Sequence, residues 1–159
     1  MKDFRSLEVW EKSHKLALAA YQVTAQFPKE EIYSLTSQIR RAATSIPANI
    51  AEGCGRGSDA DFARFLQIAM GSASELEYEF LLSRDLGFID PAIYPELEKQ
   101  VQSVKQMLAA LLRSIRNRNP LDHKIADPDE LYEADTGSRT ATLLAESGKR
   151  TANPIEDKS

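Results

Sequence analysis

Apolar residues between positions 62 and 80 recur at alternating spacings of four and three residues. This is the pattern of one α-helix face packed in a bundle. The face consists of Phe62, Leu66, Ala69, Ala73, Leu76 and Phe80. The spacing excludes a strand, because strand side chains alternate with a period of two. The chain therefore needs other helices against which this face can be buried.

Three further segments carry the helical period, and residues typical of helix ends bound them. The predicted helices cover residues 7–26, 35–53, 59–86 and 90 to about 118. Ser6, Ser34 and Ser58 are the expected N-caps, and Pro91 is expected in the first position of the fourth helix. Short connections favour antiparallel neighbours. The expected fold is therefore all-α, an up-down-up-down antiparallel four-helix bundle over residues 4–118.

Pro47 lies inside the second predicted helix. It lacks a backbone donor and collides with the preceding turn, so a kink or a local break is expected. Thr44 and Ser45 are placed to satisfy the freed backbone groups. Asn49 lies beside the apolar stripe, and we interpret it as a structural amide that holds the kinked backbone rather than as a ligand.

The glycines at positions 53, 55 and 57 follow this helix. A glycine-rich phosphate loop would follow a strand and open a helix, and no strand pattern precedes Gly53. A helix-ending glycine followed by a flexible turn is the favoured interpretation.

The composition changes abruptly after residue 118. Residues 119–159 contain five basic and nine acidic side chains, whereas the preceding part contains fifteen of each. The whole net charge of -4 therefore belongs to the last segment. Because large apolar residues are sparse there, we expect a polar, acidic and mostly disordered tail over residues 119–159.

The totals exclude several classes of protein. A net charge of -4 argues against a protein that is basic throughout and binds phosphate over its whole surface. A single cysteine, Cys54, excludes an intramolecular disulfide and fits a reducing compartment. No apolar run approaches the roughly 18 residues of a membrane span, and the N-terminus is unlike a signal peptide. We expect a soluble, cytoplasmic protein without membrane contact.

Several stretches together resemble a known family. They are residues 7–12, 27–31, 35–42, 45–53, 65–72 and 75–77, of which SIPANIAEG at 45–53 is the most distinctive. Over about residues 4–116 the chain resembles the bacterial four-helix bundle family of rRNA intervening-sequence proteins. This family is related to the accessory variability determinant of diversity-generating retroelements.

The resemblance implies a homo-oligomer, typically a pentameric barrel. Its retroelement branch implies binding of RNA or DNA and of a reverse transcriptase, whereas its intervening-sequence branch implies no established activity. The retroelement protein is strongly basic, and this bundle is neutral.

An up-down topology collects basic residues at one end of the bundle, which we call the arginine-rich end. Its candidate nucleic-acid or partner-binding residues are Arg5, Arg56, Arg64, Arg113, Arg116 and Arg118. Arginines grouped in this way can contact phosphates. The last three also suit a helix C-terminus electrostatically, so a purely structural role remains open. We expect the acidic tail to weaken binding of an acidic partner at this end.

Catalysis is not expected, and no metal ligand or cofactor is assigned. His14 and His123 are far apart in sequence, and no cluster shows metal-ligand spacing. Glu75 and Glu79 share a helix face, but the Glu-x-x-His motif of metal-binding bundles is missing. Cys54 is expected in an exposed loop without an activating histidine.

The remaining polar residues favour a structural role. A network inside the bundle or between subunits is expected from Gln38, Arg41, Asn49, Glu52 and Glu75. Two functions stay open at this point. One is a non-enzymatic oligomeric adaptor that binds nucleic acid or a nucleic-acid enzyme. The other is a protein–protein scaffold with no nucleic-acid role.

Overall fold

The structure is a computed structural model that describes residues 2–118 of the 159-residue chain. All regular elements of this part are helical, and the four-helix prediction is confirmed. The long helices are α1 (Glu8–Thr24), α2 (Leu35–Cys54), α3 (Asp59–Asp85) and α4 (Tyr94–Arg118). Short 3-10 turns cover Phe4–Ser6 and Lys29–Glu31. The expected tail, residues 119–159, lies outside the described residues.

The helices pack in sequence order around one core. α2 packs most extensively on α3, while α1 also contacts α2 and α3 also contacts α4. A thinner contact between α1 and α4 closes the bundle. All six residues of the α3 face are buried, with exposures of 3% or less. Across residues 2–118, each helix is too short or too polar to cross a membrane.

The starts of the helices follow the sequence signals only in part. Ser58 caps α3 as predicted, because its Oγ accepts a hydrogen bond from the Asp61 backbone N–H at 3.1 Å. Ser34 occupies the N-cap position of α2, but its hydroxyl donates to Glu31 instead. Ser6 was the wrong residue for α1. It lies in the preceding 3-10 turn, where its Oγ donates to the Asp3 carbonyl at 2.7 Å, and Leu7 is the N-cap.

The fourth helix begins later than the sequence predicts, at Tyr94 rather than at Pro91. The cause is a turn built on Asp90. The carboxylate of Asp90 accepts from the Ala92 N–H at 2.8 Å, and its carbonyl accepts from the N–H groups of Ile93 and Tyr94. A short acidic side chain that bonds the backbone two residues on stabilises a turn in place of the first helical turn.

Pro47 does not break α2, which is continuous from Leu35 to Cys54, so of the expected kink or local break the break is wrong, and the kink stays a prediction. Polar contacts surround the proline. The Asn49 amide donates to the Ser45 carbonyl at 2.8 Å and to its hydroxyl at 3.0 Å. The Ser45 hydroxyl lies 2.9 Å from the Ser72 hydroxyl of α3. The backbone around Pro47 is therefore fixed both to its own helix and to the neighbouring one.

Candidate nucleic-acid and partner interface

Both ends of the described chain meet the α2–α3 turn at one end of the bundle. The backbone N–H of Lys2 donates to the carbonyl of Cys54 at the end of α2, at 3.3 Å. At the other terminus, Arg118 Nη2 lies 3.9 Å from Asp59 Oδ2 at the start of α3. These two contacts bring the start of the chain, the α2–α3 turn and the end of α4 together. The six arginines of the arginine-rich end therefore lie on or within about two helical turns of this surface.

Three of these arginines are engaged by acidic neighbours. Arg56 pairs with Glu52 one helical turn earlier, at 2.5 Å. Arg5 pairs with Asp3 at 3.7 Å, and Arg118 is the partner of Asp59. Each of these arginine side chains is still about half exposed or more. Exposed pairs of this kind contribute about 0–1 kcal/mol, so they leave the guanidinium groups available to a competing phosphate.

The other three arginines have no such partner. Within residues 2–118, Arg64, Arg113 and Arg116 form no ion pair, and all three are exposed. They carry the largest uncompensated positive charge at this end. The structure thus provides exposed cations where the sequence predicted them, while their binding role stays a prediction.

Aromatic rings orient several of the cations, which the sequence reasoning missed. The Phe65 ring lies under two guanidinium groups, that of Arg56 at 5.0 Å and that of Arg64 at 4.8 Å. Lys2 lies over Phe62 at 4.9 Å in the same region. Each such contact is worth about 0.5–1 kcal/mol at an exposed site. The sequence signal was the pair of phenylalanines one turn into α3, next to Arg64.

The glycine-rich turn ends a helix, as the sequence favoured, and it adjoins a small cavity of about 130 Å³. Gly55 is the C-cap of α2 and has ordinary right-handed backbone angles. Gly53 serves a different purpose, because a Cβ there would lie 2.9 Å from the Phe62 ring. Asp59 lines this cavity, and Asp59 and Asp61 both lie in the first turn of α3. Their negative charge disfavours phosphate at that helix N-terminus.

Cys54 lies at the last position of α2 and is only 3% exposed, so the prediction of an exposed loop position was wrong. It is part of the hydrophobic core, because the turn begins one residue later than predicted. Burial raises the pKa of the Cys54 thiol, and nearby Lys2 opposes this effect. A buried thiol with a raised pKa is a poor nucleophile.

The residues of the expected polar network are split among several places. Asn49 bonds Ser45, as described above, while Glu52 pairs with Arg56 at the arginine-rich end. Arg41 and Glu75 both lie near a third residue, Glu79, which is buried in α3, and they have opposite effects on its pKa. Gln38 is exposed on α2. Within residues 2–118 of one chain these five residues therefore do not form one continuous network, and a network between subunits stays a prediction.

In the part of the chain that the structure describes, the histidine and carboxylate positions show no arrangement typical of a metal site. His14 is exposed and stacks on Trp10, with ring centroids 5.2 Å apart. His123 lies outside the described residues. Among residues 2–118, no group of three or more histidine, cysteine, aspartate or glutamate side chains is placed to hold a metal ion.

Comparison with known proteins places the chain in a family. A family model described as "23S rRNA-intervening sequence protein" matches residues 5–110. A solved structure from Bacteroides thetaiotaomicron, described as a protein of unknown function from the S23 ribosomal protein family, is 28% identical with a TM-score of 0.60. The match covers 65% of this chain and 97% of that one. A search of curated proteins found no match. The chain belongs to the family of 23S rRNA-intervening sequence proteins.

Proposed function

We propose that the protein is a non-enzymatic homo-oligomeric adaptor that binds nucleic acid, or an enzyme acting on it, through the arginine-rich end. The observation that carries this proposal is the convergence of both ends of the described chain with the α2–α3 turn. Exposed Arg64, Arg113 and Arg116 lie there without an ion-pair partner among residues 2–118. Phosphate groups are the natural ligands of such arginines, since the guanidinium fork bonds phosphate oxygens in pairs.

The charge distribution supports contact through one end rather than along the whole bundle. Lys2 joins the six arginines at the arginine-rich end, which makes seven basic residues. Five acidic residues lie at the same end, namely Asp3, Glu8, Glu52, Asp59 and Asp61. The opposite end carries Lys29 and Arg84 against five acidic residues, Glu30, Glu31, Asp85, Asp90 and Glu96. A neutral bundle polarised in this way attracts an anionic partner locally and repels it elsewhere. Repetition of the end in an oligomer would multiply the attraction.

An oligomer, in our proposal a pentamer, is supported by apolar residues that the single chain leaves exposed. Leu18 of α1 is 52% exposed, Ile68 and Tyr78 of α3 are 44% and 61% exposed, and Leu86 directly after α3 is 52% exposed. Apolar surface spread over two helices favours burial against further subunits. Light scattering of the full chain tests this part, and a monomer would contradict it.

The candidate enzyme partner is a reverse transcriptase, which rests on the resemblance to the retroelement accessory protein. We propose a cytoplasmic location, because the one cysteine is a buried, unpaired core residue of the kind kept in reducing compartments. A gene for a reverse transcriptase or for ribosomal RNA beside this gene would indicate which branch of the resemblance applies.

A protein–protein scaffold without a nucleic-acid role is the second candidate, and the exposed apolar residues of α1 and α3 favour it. A filter-binding titration separates the two functions. The full chain is titrated against single-stranded RNA and double-stranded DNA at low and at moderate salt. The adaptor requires binding at low salt that weakens as salt rises. The absence of binding at low salt would contradict the adaptor and leave the scaffold.

A further inference from the structure

One carboxyl group is enclosed where α2 packs on α3. Glu79 of α3 is only 3% exposed, although it is an acidic residue on a surface helix. Its Oε2 atom has no hydrogen-bond partner among residues 2–118. An ionised carboxylate in this position would lose its hydration without full compensation, which is costly for a charge. The enclosure therefore favours the protonated acid.

The charges around Glu79 also raise its pKa on balance, which favours the protonated acid. Burial, followed by the charge and the hydrogen bond of Glu75, raises the pKa of Glu79 to about 7. Arg41 of α2 acts in the opposite direction and lowers it. Glu75 precedes Glu79 by one turn of α3, and both Glu75 and Arg41 are exposed. These two are the charged groups that act on Glu79 within the described part of the chain.

We propose that Glu79 is a proton-binding site through which pH controls the packing of α2 on α3. With its proton, the acid donates to the Glu75 carboxylate, and the Arg41 guanidinium faces one negative charge. Without its proton, two carboxylates lie one turn apart beside a single guanidinium, and one of them is buried. The buried charge of Glu79 is then poorly hydrated and repels the charge of the exposed Glu75, which weakens the helix contact.

The sign of the pH effect follows from the proton balance. The unfolded chain holds this proton less tightly, with the ordinary carboxyl pKa of 4.5. The contribution of the protonated acid to the free energy of unfolding is therefore fully present below about pH 4.5. This contribution is lost as pH rises toward 7. From this group alone, the folding equilibrium constant should fall by about one to two orders of magnitude between pH 5 and pH 8.

Denaturant unfolding of the full chain at pH 5, 6, 7 and 8 tests the proposal, with Glu79→Gln as the main variant. Glutamine has the shape of the protonated acid and cannot ionise, so the variant should lose most of the fall in stability with pH. The exposed Glu30→Gln serves as the matched control and should keep the wild-type slope. An equal slope in wild type and Glu79→Gln would overturn the proposal.

A direct titration keeps the test independent of how the variant folds. Carboxyl carbon chemical shifts of wild-type Glu79, followed by NMR, should show a midpoint well above 4.5. Glu75→Gln should move this midpoint down, because it removes the like charge, and Arg41→Gln should move it up. A midpoint near 4.5 in the wild type would show that Glu79 is an ordinary carboxylate and would refute the switch.

Discussion

Gly53 of α2 faces the ring of Phe62 on α3 so closely that a Cβ at position 53 would lie 2.9 Å from Phe62 Cδ2. The same Cβ would lie 3.0 Å from the Cβ of Phe65. Because Phe62 is buried, its ring cannot swing into solvent to make room. The absence of a side chain at Gly53 therefore sets how closely α2 and α3 approach at the arginine-rich end.

Substitution of Gly53 by alanine should consequently destabilise the protein. The extra methyl group overpacks the contact with Phe62, which typically costs about 1–3 kcal/mol. Chemical denaturation should show a lower midpoint concentration of denaturant. The slope of the free energy of unfolding against denaturant concentration should stay unchanged. Gly71 is the matched control in the middle of α3, since no atom lies within 4 Å of a Cβ there. Gly71→Ala should be neutral or stabilising by up to about 1 kcal/mol, and equal losses for both variants would contradict the packing argument.

The buried position of Cys54 predicts slow chemistry at its thiol. Modification by a thiol reagent at pH 8 should be more than about tenfold slower in the native protein than in denaturant, because burial restricts access and disfavours the thiolate. The double variant Cys54→Ala/Gly57→Cys moves the thiol to an exposed position on the same turn and should react rapidly. Fast labelling of native Cys54 would indicate that the end of α2 opens readily.

The fold follows from the sequence where one repeating pattern decides it. The spacing of four and three in α3 indicates its buried face, and all six residues of that face lie in the core. The Ser58 cap was also predictable, because Ser58 directly precedes the acidic first turn of α3. The start of α4 was less readable, since the Asp90 turn and a proline-initiated helix have similar signals.

The sequence predicted which end of the bundle holds the arginines, but it did not predict how their side chains are arranged there. The guanidinium group of Arg56 comes from the α2–α3 turn and that of Arg64 from α3, and the alignment of α2 with α3 decides that they meet over Phe65. The burial of Glu79 depends on the same alignment. The sequence shows that Glu75 and Glu79 share a face, but it does not show which of the two is covered by α2.

The Asn49 amide should contribute to stability through its bonds to Ser45. Asn49→Ala removes a half-buried donor that bonds both the Ser45 carbonyl and its hydroxyl, so a loss of about 1 kcal/mol is expected in denaturant unfolding. Gln38→Ala, on the exposed side of the same helix, should change stability by less than about 0.5 kcal/mol. A neutral Asn49→Ala would show that the amide does not stabilise the backbone beside Pro47.

Substitution of Arg116 by glutamine tests the arginine-rich end itself. If Arg116 contacts a phosphate, its loss should weaken binding of single-stranded RNA about equally for different sequences. The slope of log K against log salt should become shallower by about 0.7, since one fewer counterion is released. Arg84→Gln, at the opposite end of the bundle, should leave both affinity and slope unchanged. If Arg84→Gln weakens binding as much as Arg116→Gln does, the RNA does not distinguish the two ends, and the arginine-rich end is not the interface.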